Sequence, residues 1–205
     1  MPGRLFLNLG GAALADAVGV PLIDGANHPP RQNIAPGQQV ICWTAAGLVP
    51  MRWGIIPVGR VNARGRPVME TLINARSETV FEKTAYAGVG RAVVPVSGWY
   101  EWTGESRRKT AWRIRSKAEG LLFFAAITDV WNAPGGTQVQ QMATVTCPPN
   151  ADVRDIHHRM GVLLNIQDVP LWLEGDLATV KSLMVPFGDG ALRVEKALDV
   201  DWEAP

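Results

Sequence analysis

The stretch from Arg91 to Trp102 constrains the fold of this chain more than any other. An apolar run ends in the turn signal Ser97-Gly98, and a lone carboxylate, Glu101, follows among aromatic residues. On an extended strand Glu101 points to the face opposite Tyr100 and Trp102. Burial among rings removes hydration and raises the pKa of a carboxyl group toward the range useful for proton transfer. The stretch predicts two strands with a candidate acid–base residue at Glu101; the alternative is a glutamate that faces solvent at a strand edge.

Composition indicates a globular protein rich in short strands. The chain has 205 residues, of which 47% are hydrophobic and 19% charged, and we expect one domain over residues 1–205. Eight Trp, 15 Pro and 21 Gly favour short strands and turns over a helical bundle. The net charge of +1 gives no global electrostatic case for nucleic-acid binding, so any polyanion site must be local. Cys42 and Cys147 make neither a disulfide framework nor a metal cluster, which fits a reducing compartment.

The amino-terminal apolar run is not a signal peptide in our interpretation. Asp16 interrupts the run from Leu9 to Ile23, and its spacing fits one face of a helix. No window is long and apolar enough for a membrane span. We expect a cytoplasmic protein with no membrane partner.

The remaining pattern predicts short elements separated by polar loops. Strands are expected at Leu5–Leu7, Gln39–Trp43, Arg52–Pro57 with a turn, Ala111–Arg115, Leu121–Ile127, Gln138–Thr146 and Gly161–Leu164. Helices are expected at Gly11–Val18, at Glu78–Ala85 and from Leu171 onward, and an acidic tail follows the last helix. Loops are expected at Asn27–Pro36, which is rich in proline, and at Gly59–Arg66, where Arg60, Arg64 and Arg66 read as solvated charges.

Two polar segments carry candidate binding groups. Asn74, Arg76 and Ser77 can donate to phosphate or sugar oxygens, although Ser77 can equally cap a helix. His157 and His158 are a poor metal pair because adjacent side chains diverge, and His28 is the only other histidine. We therefore expect no metal and no cofactor.

Several motifs in order resemble the SOS-response-associated peptidase (SRAP) family, whose members process abasic sites in single-stranded DNA. The matching pieces are Gly3-Arg4, Asn33 to Pro36, Trp53 to Pro57, Asn74 to Thr79, Pro95 to Trp102, Ile156-His157 and Arg159-Met160. The resemblance implies an α+β fold, built on a curved antiparallel barrel-like sheet with flanking short helices. It also implies a positively charged cleft for single-stranded DNA that carries abasic sites. We expect a monomer associated with the nucleoid.

The resemblance also implies roles for individual residues. Asn74 would position the reacting groups, and Glu101 and His157 would transfer protons and handle the sugar. Arg4 and Arg76 would contact phosphate, with Arg159 adding local positive charge. Ser77 and Thr146 complete the expected DNA-binding set, the latter standing where the family has a DNA-contacting threonine.

The sequence departs from this family at the residue that performs the covalent step. Pro2 stands where the family has cysteine, so a thiazolidine with the abasic aldehyde cannot form. Cys147 follows Thr146 and so faces the other way, as a buried structural thiol. Gly161 replaces the usual proline after Arg159-Met160, and Pro67-Val68-Met69 lacks the aromatic residue often available for base stacking.

Proline leaves a different route open. Removal of Met1 would expose the secondary amine of Pro2, which condenses with an aldehyde to a cationic iminium. The expected function is thus abasic-site processing through Pro2 with Asn74, Glu101 and His157, by lyase chemistry or transient crosslinking. Two alternatives stay open: a lapsed enzyme that keeps single-stranded DNA binding, and a peptidase or other hydrolase that uses Glu101 and His157 without DNA.

Overall fold

The structure is a computed structural model that describes residues 2–23, 25–57, 71–83, 86, 88–105, 108–132 and 135–203. The predicted loop at Gly59–Arg66, with Arg60, Arg64 and Arg66, lies outside the described residues, as do Pro67 to Met69. That residues 1–205 form one domain stays a prediction.

Short strands dominate the described part of the chain, as the composition predicted. The strands are β1 Arg4–Leu7, β2 Arg31–Ile34, β3 Gln39–Thr44, β4 Gly47–Trp53, β5 Asn74–Arg76, β6 Gly90–Val96, β7 Gly98–Thr103, β8 Thr110–Ser116, β9 Leu122–Asn132, β10 Gln138–Cys147, β11 Met160–Gly161, β12 Leu163–Leu164 and β13 Leu192–Lys196. The helices are α1 Gly11–Val18, α2 Val169–Glu174 and α3 Leu177–Leu183.

The larger sheet curls into a ring. Its strands run in the order β10-β4-β3-β6-β9, and pairing of β9 with β10 joins the two ends. Most pairings are antiparallel, while β10 runs parallel to both β4 and β5. The predicted α+β fold with a curved, barrel-like sheet and short helices is confirmed.

A second sheet, in the order β13-β8-β7-β1-β2, leaves the ring where β6 passes into β7. Ser97 forms that corner, and its backbone N–H donates to Phe6 O at 2.9 Å. Gly98 follows because a Cβ there would collide with the Ile114 carbonyl oxygen. The stretch from Arg91 to Trp102 thus forms two strands in two sheets, and its Ser97-Gly98 turn connects them.

Tryptophans hold the layers together. Trp53, Trp99 and Trp172 are fully buried. Trp99 packs edge-on against Phe124 at 5.3 Å between ring centroids, and Trp172 Nε1 donates to Ala92 O at 2.9 Å. Each indole brings a large apolar area and an N–H that benefits from a partner when buried. Helix α2 is fastened to the ring in this way.

Three sequence-based predictions of local structure were wrong. The proline-rich stretch Asn27–Pro36 contains β2, which pairs with β1. The expected helix Glu78–Ala85 is a series of turns over its described residues 78–83. The expected acidic tail contains β13, whose Glu195 bonds Arg115 of β8 at 3.2 Å. For β2 and β13, pairing with distant strands outweighs the local preference.

Candidate active site

The amino-terminal segment lies along the strand that carries Glu101. Strand β1 pairs antiparallel with β7, with Arg4 opposite Tyr100 and Leu5 opposite Trp99. The pairing extends beyond β1, because Gly3 N–H donates to Tyr100 O at 3.1 Å. A Cβ at position 3 would come within 2.6 Å of Trp102 Cζ3, so only glycine allows this approach. Pro2, one residue further, is buried.

Glu101 is a buried carboxyl group in the middle of β7. It is 4% exposed and stands opposite Trp112 of β8. Burial raises its pKa to about 7, while the positive charge of the amino terminus and a hydrogen bond with it act in the opposite direction. A pKa near 7 suits a group that must both give and take a proton at neutral pH. The expected shift in the pKa of Glu101 is confirmed, and the alternative of a solvent-facing glutamate is wrong.

His157 precedes β11 and is neutral at pH 7. Burial, the positive amino terminus and His158 together lower its pKa to about 4. Its Nδ1 lies 3.0 Å from the backbone N and 3.1 Å from the backbone O of Arg159, and its ring stacks on His158 at 4.4 Å. The positive charge of the amino terminus therefore affects the pKa of both Glu101, on β7, and His157, in the segment before β11.

Asn74 is held by a residue that the sequence analysis missed. In the parallel pairing of β5 with β10, Thr144 stands opposite Asn74, and its hydroxyl donates to Asn74 Oδ1. This contact fixes which way the amide points. Asn74 Nδ2 is buried without a hydrogen-bond partner among the described residues. The amide thus keeps an unused donor, which a ligand oxygen could satisfy. The available signal was the alternation of Thr144 with Thr146 in the otherwise apolar second half of β10, residues 142–147.

Arg159 is buried and ion-paired rather than solvent-facing. It is 7% exposed, and its Nη1 and Nη2 donate to the two oxygens of Glu78 at 2.5 and 2.9 Å. Its Nη2 also donates to Thr146 O and lies 3.3 Å from Thr146 Oγ1. The hydrogen bond with Arg159 is the main reason that the pKa of Glu78 falls to about 2. Glu78, also missed from sequence, links the turn after β5 to the segment before β11.

The other predicted DNA contacts stand at different places around this site. Arg76 is exposed at the end of β5, two residues beyond Asn74 on the same face. Ser77 donates its backbone N–H to Thr146 O at 2.8 Å and its hydroxyl to Glu78 at 3.4 Å. No helix follows it within residues 77–83, so the helix-capping alternative for Ser77 is wrong.

Arg4 and Thr146 already have protein partners. Arg4 Nη1 donates to Asn33 Oδ1 at 2.6 Å, and Arg4 lies on the face of Tyr100, opposite that of Glu101. Thr146 is fully buried and donates to Ala75 O at 3.2 Å. Contacts of these two residues with DNA stay predictions.

Packing accounts for Cys147 and for the glycine that departs from the family pattern at position 161. Cys147 is fully buried, as predicted, and burial raises its pKa to about 11. Gly161 lies under the Phe124 ring, which fills the space that any side chain at position 161 would need. The glycine is therefore tied to packing of this core.

Metal sites and membrane-spanning helices have structural requirements that can be compared with the described ranges. No group of three or more His, Cys, Asp or Glu side chains there could hold a metal ion. Within the same ranges, no helix is both long enough and apolar enough to span a bilayer.

Comparison with solved structures shows the same fold elsewhere. A crystal structure of a protein from Bacteroides thetaiotaomicron superposes with a TM-score of 0.80, covering 96% of this chain and 92% of that one, at 21% identity. A protein from Bordetella bronchiseptica superposes with a TM-score of 0.76 at 18% identity, covering 95% of this chain and 99% of that one. At these identities the likeness concerns the fold alone.

Sequence comparison identifies the family. Abasic site processing protein YoqW of Bacillus subtilis (strain 168) is 32% identical over 177 residues, which are 81% of this chain and 77% of that protein. Abasic site processing protein HMCES of Mus musculus is 29% identical over 168 residues, 66% of this chain and 48% of that protein. The family model for SOS response associated peptidase (SRAP) matches residues 1–199. With this match across nearly its whole length, the chain belongs to the SRAP family.

Proposed function

We propose that this protein processes abasic sites in single-stranded DNA, within the DNA-damage response, by capturing the sugar aldehyde on the amine of Pro2. The observation that carries the proposal is the register of β1 on β7, which runs the amino-terminal segment along a buried carboxyl with a pKa of about 7. The names of its relatives, abasic site processing proteins, supply the substrate class. Removal of Met1 by hydrolysis is the first requirement, because it frees the secondary amine of Pro2.

The capture step forms one bond and expels one water. The neutral Pro2 nitrogen attacks C1′ of the open-chain abasic sugar, and the carbonyl electron pair moves to oxygen. The nitrogen loses its N–H proton and the oxygen gains one, which gives a neutral carbinolamine. The nitrogen lone pair then expels that oxygen as water after a second protonation, which leaves an iminium cation. Glu101 supplies a proton in this scheme, since with a pKa of about 7 a large share of it is protonated at neutral pH.

Elimination follows from the iminium. The cation acidifies the C2′ proton, a base removes that proton, and the C–H electron pair forms a neutral enamine. The nitrogen electron pair of the enamine then drives formation of a C2′=C3′ double bond as the C3′–O bond breaks, which restores the iminium in conjugated form. The 3′ phosphate leaves with the bonding electrons, and water then hydrolyses the remaining iminium to release Pro2 and an unsaturated aldehyde. Glu101, now ionised, or neutral His157 serves as the base. The lyase outcome follows because proline offers no thiol to trap the adduct as a thiazolidine.

Asn74 has a positioning part in this proposal. Its unpartnered Nδ2 would donate to a sugar or phosphate oxygen, while Thr144 holds the amide in the required orientation. Its neighbour Arg76 is the exposed cation best suited to a phosphate, with Ser77 beside it. Arg159 and Thr146 would have an indirect role, because they hold the 76–78 turn against β10.

Borohydride trapping tests the proposal directly. Untagged protein with Pro2 as its first residue is mixed with an abasic single-stranded oligonucleotide and borohydride, and intact mass is recorded. We expect a protein–DNA adduct on Pro2, because reduction converts the iminium to a stable amine. Protein whose amino terminus is blocked by a tag is the control: it should bind the same oligonucleotide but form no adduct. Absence of any adduct from protein with a free Pro2 contradicts the proposal.

A second candidate is single-stranded DNA binding without covalent chemistry, favoured by the replacement of the family cysteine with Pro2. The same trapping experiment separates the two, since a pure binder gives a complex that dissociates under denaturing conditions. Substitution Pro2→Cys distinguishes them further: where Asn74, Glu101 and His157 are competent, the new thiol should yield a long-lived crosslink without borohydride.

Peptidase activity without DNA is the weakest candidate. Both cysteines are fully buried, and burial raises the pKa of each thiol, which removes the thiolate that a cysteine nucleophile needs. A hydrolase of this kind would have to activate water with Glu101 and His157 alone. Hydrolysis of unstructured peptides by protein that ignores abasic DNA would favour it.

A further inference from the structure

The segment of residues 197–203 crosses the second sheet on the face that carries Tyr100. It begins at β8, where Ala197 N–H donates to Ala111 O at 2.9 Å and Asp199 bonds Arg113 Nη2 at 2.7 Å. It then reaches β7, where the Trp202 ring packs at 4.9 Å from Tyr100 and 5.2 Å from Trp102 between ring centroids. We call residues 197–203 the strap.

The far end of the strap is fastened to the strands that hold the amino terminus. Asn33 of β2 donates through Nδ2 to Trp202 O at 2.9 Å and to Asp201 O at 3.3 Å. Oδ1 of the same amide accepts a hydrogen bond from Arg4 Nη1 of β1 at 2.6 Å. Asn33 is 2% exposed, so these bonds form in a dry environment where they are directional and costly to lose.

The strap and the amino-terminal segment meet at one ring. Trp102 packs against Trp202 on one side, and its Cζ3 sits 2.6 Å from where a Cβ of residue 3 would be. Gly3 therefore has no freedom to move toward Trp102 while Trp202 holds that indole. A second path runs from Trp202 through Asn33 to Arg4, one residue beyond Gly3. Both paths end on the two residues that follow Pro2.

We infer that the strap positions the Pro2 amine, with Trp202 as the positioning residue, so that residues at the two ends of the sequence jointly build the active site. The effect of the strap on aldehyde capture rests on the proposed function, whereas its contacts with the amino-terminal segment do not. The family match ends at residue 199, so Trp202 lies beyond it. The strap lies on the face of β7 that carries Tyr100, and Glu101 points to the opposite face. Its effect must therefore pass through Trp102 and Arg4.

Hydrogen exchange at Gly3 tests the inference without any DNA. The Gly3 N–H donates to Tyr100 O, so its protection from exchange reports how long the amino-terminal segment stays in register. Trp202→Ala should lower that protection by about tenfold or more, while amides of β6 and β9 in the ring keep theirs. Trp202→Phe, which keeps an aromatic ring, should restore most of it. Leu198→Ala is the matched control, because Leu198 lies in the strap but is 87% exposed.

Borohydride trapping supplies the functional readout. Trp202→Ala should slow adduct formation on Pro2 at saturating oligonucleotide by about tenfold or more, with the dissociation constant for DNA changed less than about threefold. Faster trapping would instead identify the strap as a cover that DNA displaces, and would overturn the inference. Gly3 protection within about twofold of the parent protein would overturn it as well. If the parent protein forms no adduct, the proposed function fails, while the exchange result still decides whether the strap positions Gly3.

Discussion

Gly3 and Trp102 are in contact so close that no side chain fits between them: a Cβ on residue 3 would stand 2.6 Å from Trp102 Cζ3. This contact is where the amino-terminal segment is pressed against the strand of Glu101. The position of the Pro2 amine thus depends on the absence of a Cβ atom at the next residue, Gly3.

Gly3→Ala should displace the amino-terminal segment and slow aldehyde capture by about 100-fold, since a shift of about 1 Å in a reacting group has an effect of that order. The free energy of unfolding should fall by about 1–3 kcal/mol from overpacking. Trapping rates and chemical denaturation measure the two effects. Gly120→Ala is the control, because its Cβ would meet open space at an ordinary backbone angle. Unimpaired capture by Gly3→Ala would show that the contact does not matter for the amine.

Glu101→Gln should abolish the acid–base role and change how stability depends on pH. The folded pKa of about 7 lies above the ordinary 4.5, so folding favours the protonated carboxyl. Its contribution is complete below pH 4.5 and is lost as pH rises through 7, a change of about 3 kcal/mol. The variant should lack this decline, which denaturation at pH 4.5 and pH 8 detects.

The same variant should slow elimination by about 10²–10⁴-fold while DNA binding changes little. An equal loss of binding and turnover would assign Glu101 a structural role instead.

Thr144→Val removes the hydroxyl that orients the Asn74 amide while keeping the side-chain shape. We expect capture to slow by about tenfold, and stability to fall by about 1–2 kcal/mol because a buried oxygen loses its donor. Thr144→Ser, which retains the hydroxyl, should behave nearly like the parent protein. Equal activity of the valine and serine variants would remove Thr144 from the site.

Arg76→Ala should weaken binding to single-stranded DNA at low salt and reduce the log–log salt slope by about 0.7, the value for one phosphate contact on a single strand. Titrations between low and moderate salt measure the slope. Arg193→Ala, which removes an exposed cation from β13, is the control. An unchanged slope would mean that Arg76 touches no phosphate.

Glu78→Gln should destabilise the protein by about 1–3 kcal/mol, because the buried Arg159 loses its ionic partner although Glu78 itself is about half exposed. In the parent protein the pKa of Glu78, near 2, lies below the ordinary 4.5. The contribution is therefore present above pH 4.5 and is lost as pH falls toward 2. Glu82→Gln, which touches only an exposed ion pair at 3.9 Å, should change stability by less than about 0.5 kcal/mol. Equal stability of the two variants at pH 7 would contradict a structural role for Arg159.

The sequence by itself predicted most of the strands and the family, and it supplied the candidate site residues. Periodicity and turn chemistry are local, so β6, the Ser97-Gly98 corner and β7 could be predicted from residues a few positions apart. Strand alternation also predicted that Glu101 points away from Tyr100 and Trp102, and burial followed from the aromatic neighbours. The replacement of the family cysteine by proline at position 2 can be read directly from the sequence.

Only the tertiary structure decided which groups are still available to a ligand. Arg159 looked like a free cation, yet Glu78 neutralises it from 81 residues away in the sequence. Thr144 was unremarkable in sequence until β5 paired with β10 in register with Asn74. Trp202 meets Trp102 only because the strap folds across the second sheet. Such partnerships depend on strand register and on contacts between distant segments, which no local pattern specifies.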